Sequence, residues 1–464
     1  MNDIAMMGLG VMGQNLALNM ESRGYKVAAF DIDSAKCDAF REKTEDKNIE
    51  VFYNADDMVK SLKKPARVMM MVPAGKYVDS AIESIIKYLD KEDILIDGGN
   101  SNFKDTQRRC EYLKSKGLRF IGTGVSGGEE GALKGPAMMP GGPLSAFEEV
   151  KHIFFDICAK YGDTPCCDYM GEDGAGHFVK MVHNGIEYSD MELICEAFQI
   201  MKNSGFSYKK MSDVFCKWNE GELKSYLIEI TGNILKMKDP ETGKPYPEVV
   251  LDTAGQKGTG KWTATNALDL GVAAPTIAEA VFGRCLSAIK DERVKASKVF
   301  ETNADCKIEN EEEFLDNLEK ALYFSKICSY AQGFMIMQEA GKEFGWNLDF
   351  SKIAKVWRSG CIIRADFLND ISNVYENDSE CNLLMAPAFK DKIEKYSKSL
   401  RFICKECINR EIPAPGFMSA LSFFDGFKSE VLPANLLQCQ RDYFGAHGFQ
   451  RLDKEGKGYH LEVK

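Results

Sequence analysis

The feature that most constrains the fold is a glycine cluster close to the N-terminus. Residues 8–13, of sequence GLGVMG, follow a short apolar run and precede a stretch with helical periodicity. Between a strand and a helix, the first glycine permits a tight turn, the second lets the backbone approach a pyrophosphate and the third allows close helix packing. The helix N-terminus adds unpaired N–H donors. This context predicts a dinucleotide-binding unit rather than a simple turn of glycines.

The organisation of the chain changes near residue 176. Before that point, short apolar runs at residues 4–7, 26–30, 67–72, 94–97 and 118–122 alternate with helical segments, which is typical of a parallel sheet covered by helices. Long helical patterns then dominate to about residue 427, and the chain becomes Gly-rich near its end. We therefore expect a doubly wound Rossmann domain at 1–176, an all-helical domain at 177–432 and a C-terminal tail at 433–464, an α/β plus all-α architecture.

Composition excludes several classes of function. Lys and Arg total 59 and Asp and Glu total 70, giving a net charge of −11, which disfavours binding to nucleic acid or to an anionic membrane. The apolar runs fall short of the roughly 20 residues that a membrane-spanning helix needs, and the N-terminus lacks the basic segment of a signal peptide. The 15 cysteines are then expected to be free thiols in a cytoplasmic protein. Cys404 and Cys407 have no second pair, so we expect no metal site.

An acidic residue follows the second predicted strand, where a dinucleotide would place its adenosine ribose. Asp31 lies 18 residues after Gly13, and a carboxylate there accepts hydrogen bonds from a free 2′-hydroxyl but repels a 2′-phosphate. Neither Ile32 nor Asp33 offers the cation that NADP needs, and only Lys36 is near. We therefore expect NAD to be preferred, with NADP as the alternative. Asp33 could equally cap the next helix, which would leave the role of Asp31 unchanged.

Five polar residues share one face of a predicted helix at the start of the second domain. Lys180, His183, Asn184, Glu187 and Tyr188 fall at i, i+3, i+4, i+7 and i+8. The other faces of this helix are apolar, so it is expected to be buried on most sides. A solvated polar stripe is the alternative interpretation, but this mixture of side chains suits substrate binding better than a surface.

Six separated motifs resemble those of the decarboxylating 6-phosphogluconate dehydrogenase family. They are GLGVMGQN near the start, DGGNS at 97–101, GVSGGEEGA at 124–132, the stretch 180–188, QKGTGKW at 256–262 and RDYFGAH at 441–447. The motifs span nearly the whole chain in order. The resemblance implies a Rossmann domain, a helical domain for substrate binding and dimerisation, and a tail that reaches into the partner subunit of a homodimer.

The resemblance also implies a reaction. Its steps are oxidation of the substrate's 3-hydroxyl by hydride transfer to NAD(P), loss of CO2, and protonation of the enediol to give ribulose 5-phosphate, without a metal. Lys180 is implied as the general base, which requires its pKa to fall from about 10.4, and Glu187 as the acid that protonates the enediol. The residues implied to bind substrate are Asn100, Ser126, Gly127, Gly128, His183, Asn184, Tyr188, Lys257, Arg284, Arg441 and His447. The expected cofactor contacts are Gly8, Gly10, Val11, Met12, Gly13, Asp31, Ile32, Asp33, Val72 and Asn100.

The sequence departs from the usual pattern of the family at two points near the expected cofactor. Many relatives have Asn-Arg-Thr after the second strand, where this chain has Asp31, Ile32 and Asp33. Relatives also commonly have Lys where this chain has Pro73. Both differences remove positive charge and again favour NAD.

Two other interpretations are weighed against this one. A smaller β-hydroxyacid dehydrogenase would share the glycine fingerprint, the Ser-Gly-Gly turn and a helical lysine, but such enzymes are shorter and lack the motif at 441–447. A catalytically silent nucleotide-binding protein would keep the fold without the chemistry. The presence of both Lys180 and Glu187 argues against it.

Overall fold

The N-terminal part of the molecule is built on one twisted sheet. The computed structural model describes residues 1–255, 258–300 and 308–462. Its main sheet has the strand order β3-β2-β1-β4-β5-β6-β7, in which β7 alone runs antiparallel to its neighbour. The strands are β1 (Ile4–Met7), β2 (Val27–Phe30), β3 (Ile49–Phe52), β4 (Arg67–Met70), β5 (Ile94–Asp97), β6 (Arg119–Ser126) and β7 (Ala137–Gly141). This is the doubly wound order, so the predicted Rossmann fold is confirmed.

Helices cover both faces of this sheet. They are α1 (Val11–Ser22), α2 (Ser34–Lys43), α3 (Ala55–Lys60), α4 (Lys76–Ile85), α5 (Phe103–Ser115), α6 (Gly128–Lys134) and α7 (Leu144–Ile157). A small hairpin, β8 (Lys160–Tyr161) and β9 (Thr164–Pro165), follows them. The sequence predicted five of the sheet strands and missed β3 and β7. The partly exposed edge strand β3 contains a glutamate, and β7 contains Pro140 and Gly141, residues that are depleted in strands.

The described chain from residue 175 to about residue 427 is mainly helical, as the sequence predicted, and the tail begins with a further helix that the sequence did not predict. Two long helices dominate it, α8 (Ala175–Asn203) and α15 (Glu311–Phe344). The others are α9 (Tyr208–Trp218), α10 (Tyr226–Ile234), α11 (Tyr246–Val249), α12 (Thr259–Asp269), α13 (Pro275–Ala288), α14 (Lys290–Val299), α16 (Phe350–Val356), α17 (Leu368–Asn377), α18 (Pro387–Asn409), α19 (Pro415–Phe427) and α20 (Ala434–Gly445). Within the described ranges, none of these helices is long and apolar enough to cross a membrane.

Helix α8 joins the two parts of the molecule. Its N-terminal turns pack against β6 and β7, and the Thr106 hydroxyl lies 2.7 Å from Nδ1 of His177. Farther along, the buried Lys326 of α15 donates to Asp190 at 2.6 Å. Removing either partner would leave a buried unpaired charge, so this pair fixes how α8 and α15 pack. The segment 180–188 is thereby held between two anchors.

The C-terminal tail folds back on itself. Asp442 of α20 is buried and accepts hydrogen bonds from the backbone N–H groups of Gly448 and Leu461 and from His460 Nδ1, at 2.7–2.8 Å. These contacts close residues 446–461 against the helix. Several apolar side chains of the tail nevertheless remain exposed: Leu436, Leu437, Tyr443, Phe444 and Leu452. A tail of this kind offers apolar surface to another molecule.

Candidate active site

A cleft of about 930 Å³ opens at the carboxyl ends of β1, β2 and β4. In doubly wound folds, ligands bind where the strand order reverses, and here that point lies between β1 and β4. All the expected cofactor contacts except Asp33 line the cleft. Asp33 instead caps α2 by accepting a hydrogen bond from Ala35 N at 3.0 Å, which is the alternative weighed from the sequence. The residues of the cleft fit a dinucleotide.

The glycine loop leaves room for a pyrophosphate. A Cβ atom on Gly13 would lie 1.9 Å from the carbonyl oxygen of Gly8, so only glycine allows helix α1 to start this close to the end of β1. A Cβ atom on Gly10 would meet no atom within 4 Å. The backbone at Gly10 therefore faces open space at the N-terminus of α1, where the N–H groups favour an anion.

Asp31 ties the end of β2 to this loop. Its carboxylate accepts hydrogen bonds from Leu9 N at 2.7 Å and from Asp33 N at 2.9 Å. Lys36 Nζ lies 3.7 Å from the same carboxylate, and Ile32 is 95% exposed beside it. The negative charge of Asp31 therefore lies at the end of the cleft where we expect the adenosine ribose, and Lys36 is close to it.

Sequence reasoning missed two walls of the cleft. One is a face of α4 that presents Tyr77, Ser80, Ala81 and Ser84, whose spacing of i, i+3, i+4 and i+7 was the available signal. The other is Trp262, which comes from α12 of the helical part. No local pattern indicates that an indole from that distant helix reaches the nucleotide cleft.

The predicted polar face of α8 is buried, as its apolar surroundings suggested. Lys180, His183, Asn184 and Tyr188 are each less than a tenth exposed. Lys180 Nζ lies 3.2 Å from His183 Nδ1, which lies 3.7 Å from a Glu187 carboxylate oxygen. The structure therefore brings the five residues of the face together, and the interpretation as a solvated stripe is wrong.

Burial shifts the pKa values of the two ionisable residues of this face in opposite directions. Loss of hydration lowers the pKa of Lys180, although the nearby negative charge of Glu187 opposes this. Loss of hydration raises the pKa of Glu187, opposed by Lys180 and Arg284. Burial and the charge of Lys180 also lower the pKa of His183, which keeps this imidazole neutral. The pair therefore combines an amine that releases its proton more readily with a carboxyl group that keeps its proton more readily.

The end of β6 supports this face. Ser126 Oγ lies 3.3 Å from His183 Nε2, and Gly127 and Gly128 continue directly into α6. A Cβ atom on Gly124 would lie 2.3 Å from Cβ of Lys180. The absence of a side chain at Gly124 therefore lets the Lys180 backbone approach the sheet closely.

A second feature missed from the sequence is the segment after α16. Trp357 packs edge-on against the His183 ring, with centroids 5.7 Å apart. The carbonyl oxygen of Gly360 accepts a hydrogen bond from Ala137 N at 2.8 Å and lies over Gly127. These long-range contacts pack the segment after α16 against His183 and against strand β7.

The other residues implied to bind substrate lie in two places, with Arg284 against α8 and with Arg441 and His447 on the tail. Arg284 stacks on the Tyr188 ring at 3.6 Å and donates to the carbonyl oxygen of Gly255 at 3.3 Å. Its buried Nε has no hydrogen-bond partner within the described chain. Lys257 lies outside the described residues. Arg441 and His447 are exposed on the tail, where Arg441 donates to Gln438.

These features define a class of protein. A doubly wound dinucleotide cleft, together with a buried lysine and a partly buried glutamic acid on α8, is typical of a nucleotide-dependent dehydrogenase. Two family models match the chain: "NAD binding domain of 6-phosphogluconate dehydrogenase" over residues 3–171, and "6-phosphogluconate dehydrogenase, C-terminal domain" over residues 176–463. The chain belongs to the decarboxylating 6-phosphogluconate dehydrogenase family of NAD(P)-dependent oxidoreductases.

Individual relatives cover the full length. A Bacillus subtilis protein named "6-phosphogluconate dehydrogenase, NADP(+)-dependent, decarboxylating" is 52% identical over 457 residues, which is 98% of this chain and 97% of that protein. A rat protein named "6-phosphogluconate dehydrogenase, decarboxylating" is 51% identical over 99% of this chain and 96% of its own length. The solved Plasmodium falciparum 6-phosphogluconate dehydrogenase, described with NADP+ and with 6-phosphogluconate, has a TM-score of 0.96 at 41% identity and covers 99% of this chain and 100% of its own. The resemblance inferred from the six motifs is confirmed.

The close approach of Gly124 to Lys180 generates a prediction. Gly124→Ala places a methyl group against Cβ and Cγ of Lys180, so we expect kcat to fall about 10- to 100-fold through displacement of the proposed base. The affinity for the dinucleotide should change little, because Gly124 does not line its cleft. Steady-state NAD(P)H formation and cofactor titration measure the two quantities. Gly221→Ala is the matched control, since an added Cβ there meets no atom closer than 3.7 Å. Equal kcat values for both variants would contradict the prediction.

Proposed function

We propose that this chain oxidises and decarboxylates 6-phosphogluconate to ribulose 5-phosphate and CO2, with Lys180 as base and Glu187 as acid. The observation that carries the proposal is the buried polar face of α8, where burial lowers the pKa of Lys180 and raises that of Glu187. Both side chains are on one face, about two helical turns apart, so they can flank a single sugar-sized ligand.

The proposed steps assign each proton to a named group. The glycine loop and the other residues of the cleft would hold a dinucleotide, which would supply the acceptor for the hydride that leaves C3 of the substrate. Neutral Lys180 removes the proton of the 3-hydroxyl during that transfer. The resulting ammonium then donates to the C3 carbonyl oxygen, where negative charge develops as the bond to the carboxylate breaks and CO2 leaves. Glu187 finally donates its proton to C1 of the enediol, while the neutral amine of Lys180 takes back the proton of the hydroxyl group that becomes the ketone of the product.

The neighbouring polar groups suit substrate orientation. His183 is neutral and fully buried between Lys180, Asn184 and Ser126. Its two ring nitrogens therefore join the α8 face to the end of β6. With Asn100 at the rim of the nucleotide cleft, these groups would hold the hydroxyls and carboxylate of the substrate between base and cofactor.

The proposed phosphate site is shared between two chains. Arg284 has an unpartnered buried Nε and a guanidinium that suits bidentate phosphate binding, and it stacks on Tyr188. Lys257 is proposed as a further cation. We infer a homodimer in which Arg441 and His447 of the partner subunit complete the site. The exposed apolar side chains on the tail support this inference, since they would be covered in such a dimer.

We further propose that NAD is preferred over NADP. The support is the Asp31 carboxylate at the ribose end, the exposed Ile32 in place of an arginine, and Pro73 in the wall of the cleft. Lys36, 3.7 Å from Asp31, is the residue through which NADP would be accepted as the alternative. The Bacillus subtilis relative is named as an NADP(+)-dependent enzyme, so rates measured with NAD and with NADP are the decisive test of the cofactor preference.

We also propose a cytoplasmic location. The cysteines in the described ranges are all free thiols, and most are buried or partly buried. This is the redox state expected of a protein in a reducing compartment.

The assignment of base and acid predicts different kinetic defects. Lys180→Met should lower NAD(P)H formation from 6-phosphogluconate by about 10²- to 10⁴-fold, because the 3-hydroxyl loses its base. Glu187→Gln should allow the first hydride transfer but slow the later steps of each turnover. Rapid-mixing absorbance follows the hydride transfer, and CO2 release follows the later turnover, so the two measurements separate these effects. Lys202→Met, on the exposed last turn of the same helix, is the control. Near wild-type oxidation by Lys180→Met would refute its role as base.

The cofactor proposal predicts a higher kcat/KM with NAD than with NADP. Ile32→Arg should shift the ratio toward NADP by about 10- to 100-fold, because a guanidinium would form charge-assisted hydrogen bonds with the 2′-phosphate. Initial rates with both cofactors provide the measurement. Ile32→Leu keeps an apolar side chain and should leave the ratio unchanged. A wild-type preference for NADP would contradict the proposal.

The shared site predicts complementation between two inactive variants. Lys180→Ala and Arg441→Ala should each have little activity as homodimers. After subunit exchange, the mixed dimer contains one site with both wild-type residues, so about a quarter of all sites should become active at equal mixing. Activity measured before and after exchange tests this, with unmixed variants taken through the same treatment as controls. If exchange is verified and no activity returns, the tail does not serve the partner's site.

A further inference from the structure

Helix α5 carries two buried polar residues that the proposed mechanism does not use. Thr106 and Arg109 lie at i and i+3 on its inner face, and their exposed fractions are 0% and 1%. Thr106 contacts His177 at the start of the catalytic helix α8. A fully buried guanidinium requires partners in the protein, and those of Arg109 lie in the segment that follows β4 and at the end of β5.

The first partners of Arg109 hold the loop after β4. Its Nε donates to Asp79 at 2.8 Å and its Nη2 donates to the carbonyl oxygen of Gly75 at 3.0 Å. Gly75 is the N-cap of α4 and directly follows residues 72–74, which line the cleft. Arg109 therefore anchors the chain that forms the cofactor wall.

The remaining partner of Arg109 holds the loop after β5. Its Nη1 lies 3.6 Å from Asp97 Oδ2. The same carboxylate accepts hydrogen bonds from Gly99 N at 3.0 Å and from the Ser101 hydroxyl at 2.6 Å. Asp97 thus shapes the turn on which Asn100 reaches the cleft.

The two loops also touch each other. A Cβ atom on Gly99 would lie 3.1 Å from the carbonyl oxygen of Val72, so the turn carrying Asn100 packs directly on the cofactor wall. A shift of either loop would move both Val72 and Asn100. The side chain that reaches behind both loops, at Gly75 and at Asp97, is that of Arg109.

We propose that Arg109 is a positioning residue that sets the spacing between the cofactor wall and the Asn100 turn. Its rigid, planar fork donates hydrogen bonds to Asp79 and to Gly75 while it holds Nη1 3.6 Å from Asp97, an ion pair without a hydrogen bond. The single ammonium group of a lysine does not reach these three partners at once. Through Thr106, the same helix is joined to α8 and so to Lys180. The proposal rests on the role proposed above for Asn100.

The test compares substitutions at two adjacent arginines in the full chain. Arg109→Lys keeps the charge beside Asp79 but loses the fork, so kcat/KM for NAD(P) should fall about 10- to 100-fold, with weaker cofactor binding. Arg108→Met is the matched control: Arg108 also pairs with Asp79, at 3.0 Å, but its side chain is 55% exposed and reaches neither loop. Thermal unfolding of each variant shows whether the loss of kcat/KM results from a less stable fold. Unchanged kinetics in Arg109→Lys, or a loss that appears only at temperatures where it unfolds, would overturn the proposal.

A double-mutant cycle with Asn100→Ala distinguishes positioning of the Asn100 turn by Arg109 from a general contribution of Arg109 to the stability of the fold. If Arg109 acts through the Asn100 turn, Arg109→Lys should reduce kcat/KM much less in the Asn100→Ala background than in the wild type. Additive losses would overturn the proposal. If Asn100→Ala alone leaves the kinetics unchanged, the role proposed for Asn100 fails. The cofactor affinity of Arg109→Lys then tests the positioning role of Arg109. Weaker cofactor binding supports that role, and unchanged binding overturns it.

Discussion

The site depends on the burial of one ammonium group. Lys180 is 5% exposed, and the loss of hydration that lowers its pKa is what makes a lysine useful as a base near neutral pH. That burial has structural requirements on both sides. Gly124 leaves room for the Lys180 backbone against β6, and the Asp190–Lys326 pair holds α8 against α15. Without the surrounding helices and sheet, the same lysine would be an ordinary solvated cation.

The two parts of the molecule divide the chemistry between them. The sheet ends form a cleft for a dinucleotide, where backbone N–H groups and the Asp31 carboxylate set the electrostatics. Helix α8, in the helical part of the chain, carries the proposed acid and base. Catalysis requires the cleft and the polar face of α8 to keep a fixed relative position. Helix α5 contacts the loops after β4 and β5 and also His177, so the fold has a direct means of maintaining that position.

Much of the fold could be predicted because it is encoded locally. The five predicted strands and the helices between them have clear periodicity, and the glycine loop has a spacing that few other structures need. The short edge strand β3 and the Pro-containing β7 were missed because Glu50, Pro140 and Gly141 are residue types depleted in strands, so pairing with neighbouring strands overrides their local preference. The cleft wall on α4 had a readable spacing, whereas Trp262 reaches the same cleft from a helix more than 150 residues later.

The sequence by itself determined the class of fold, the family, and the alignment of five polar side chains on one helical face, because glycine spacing and helical periodicity are properties of short segments. Only the tertiary structure decided that this face is buried, that Trp262 lines the nucleotide cleft, and that Arg109 connects two loops. Burial and hydrogen bonding between distant residues depend on which surfaces meet, and that is settled only when the whole chain packs.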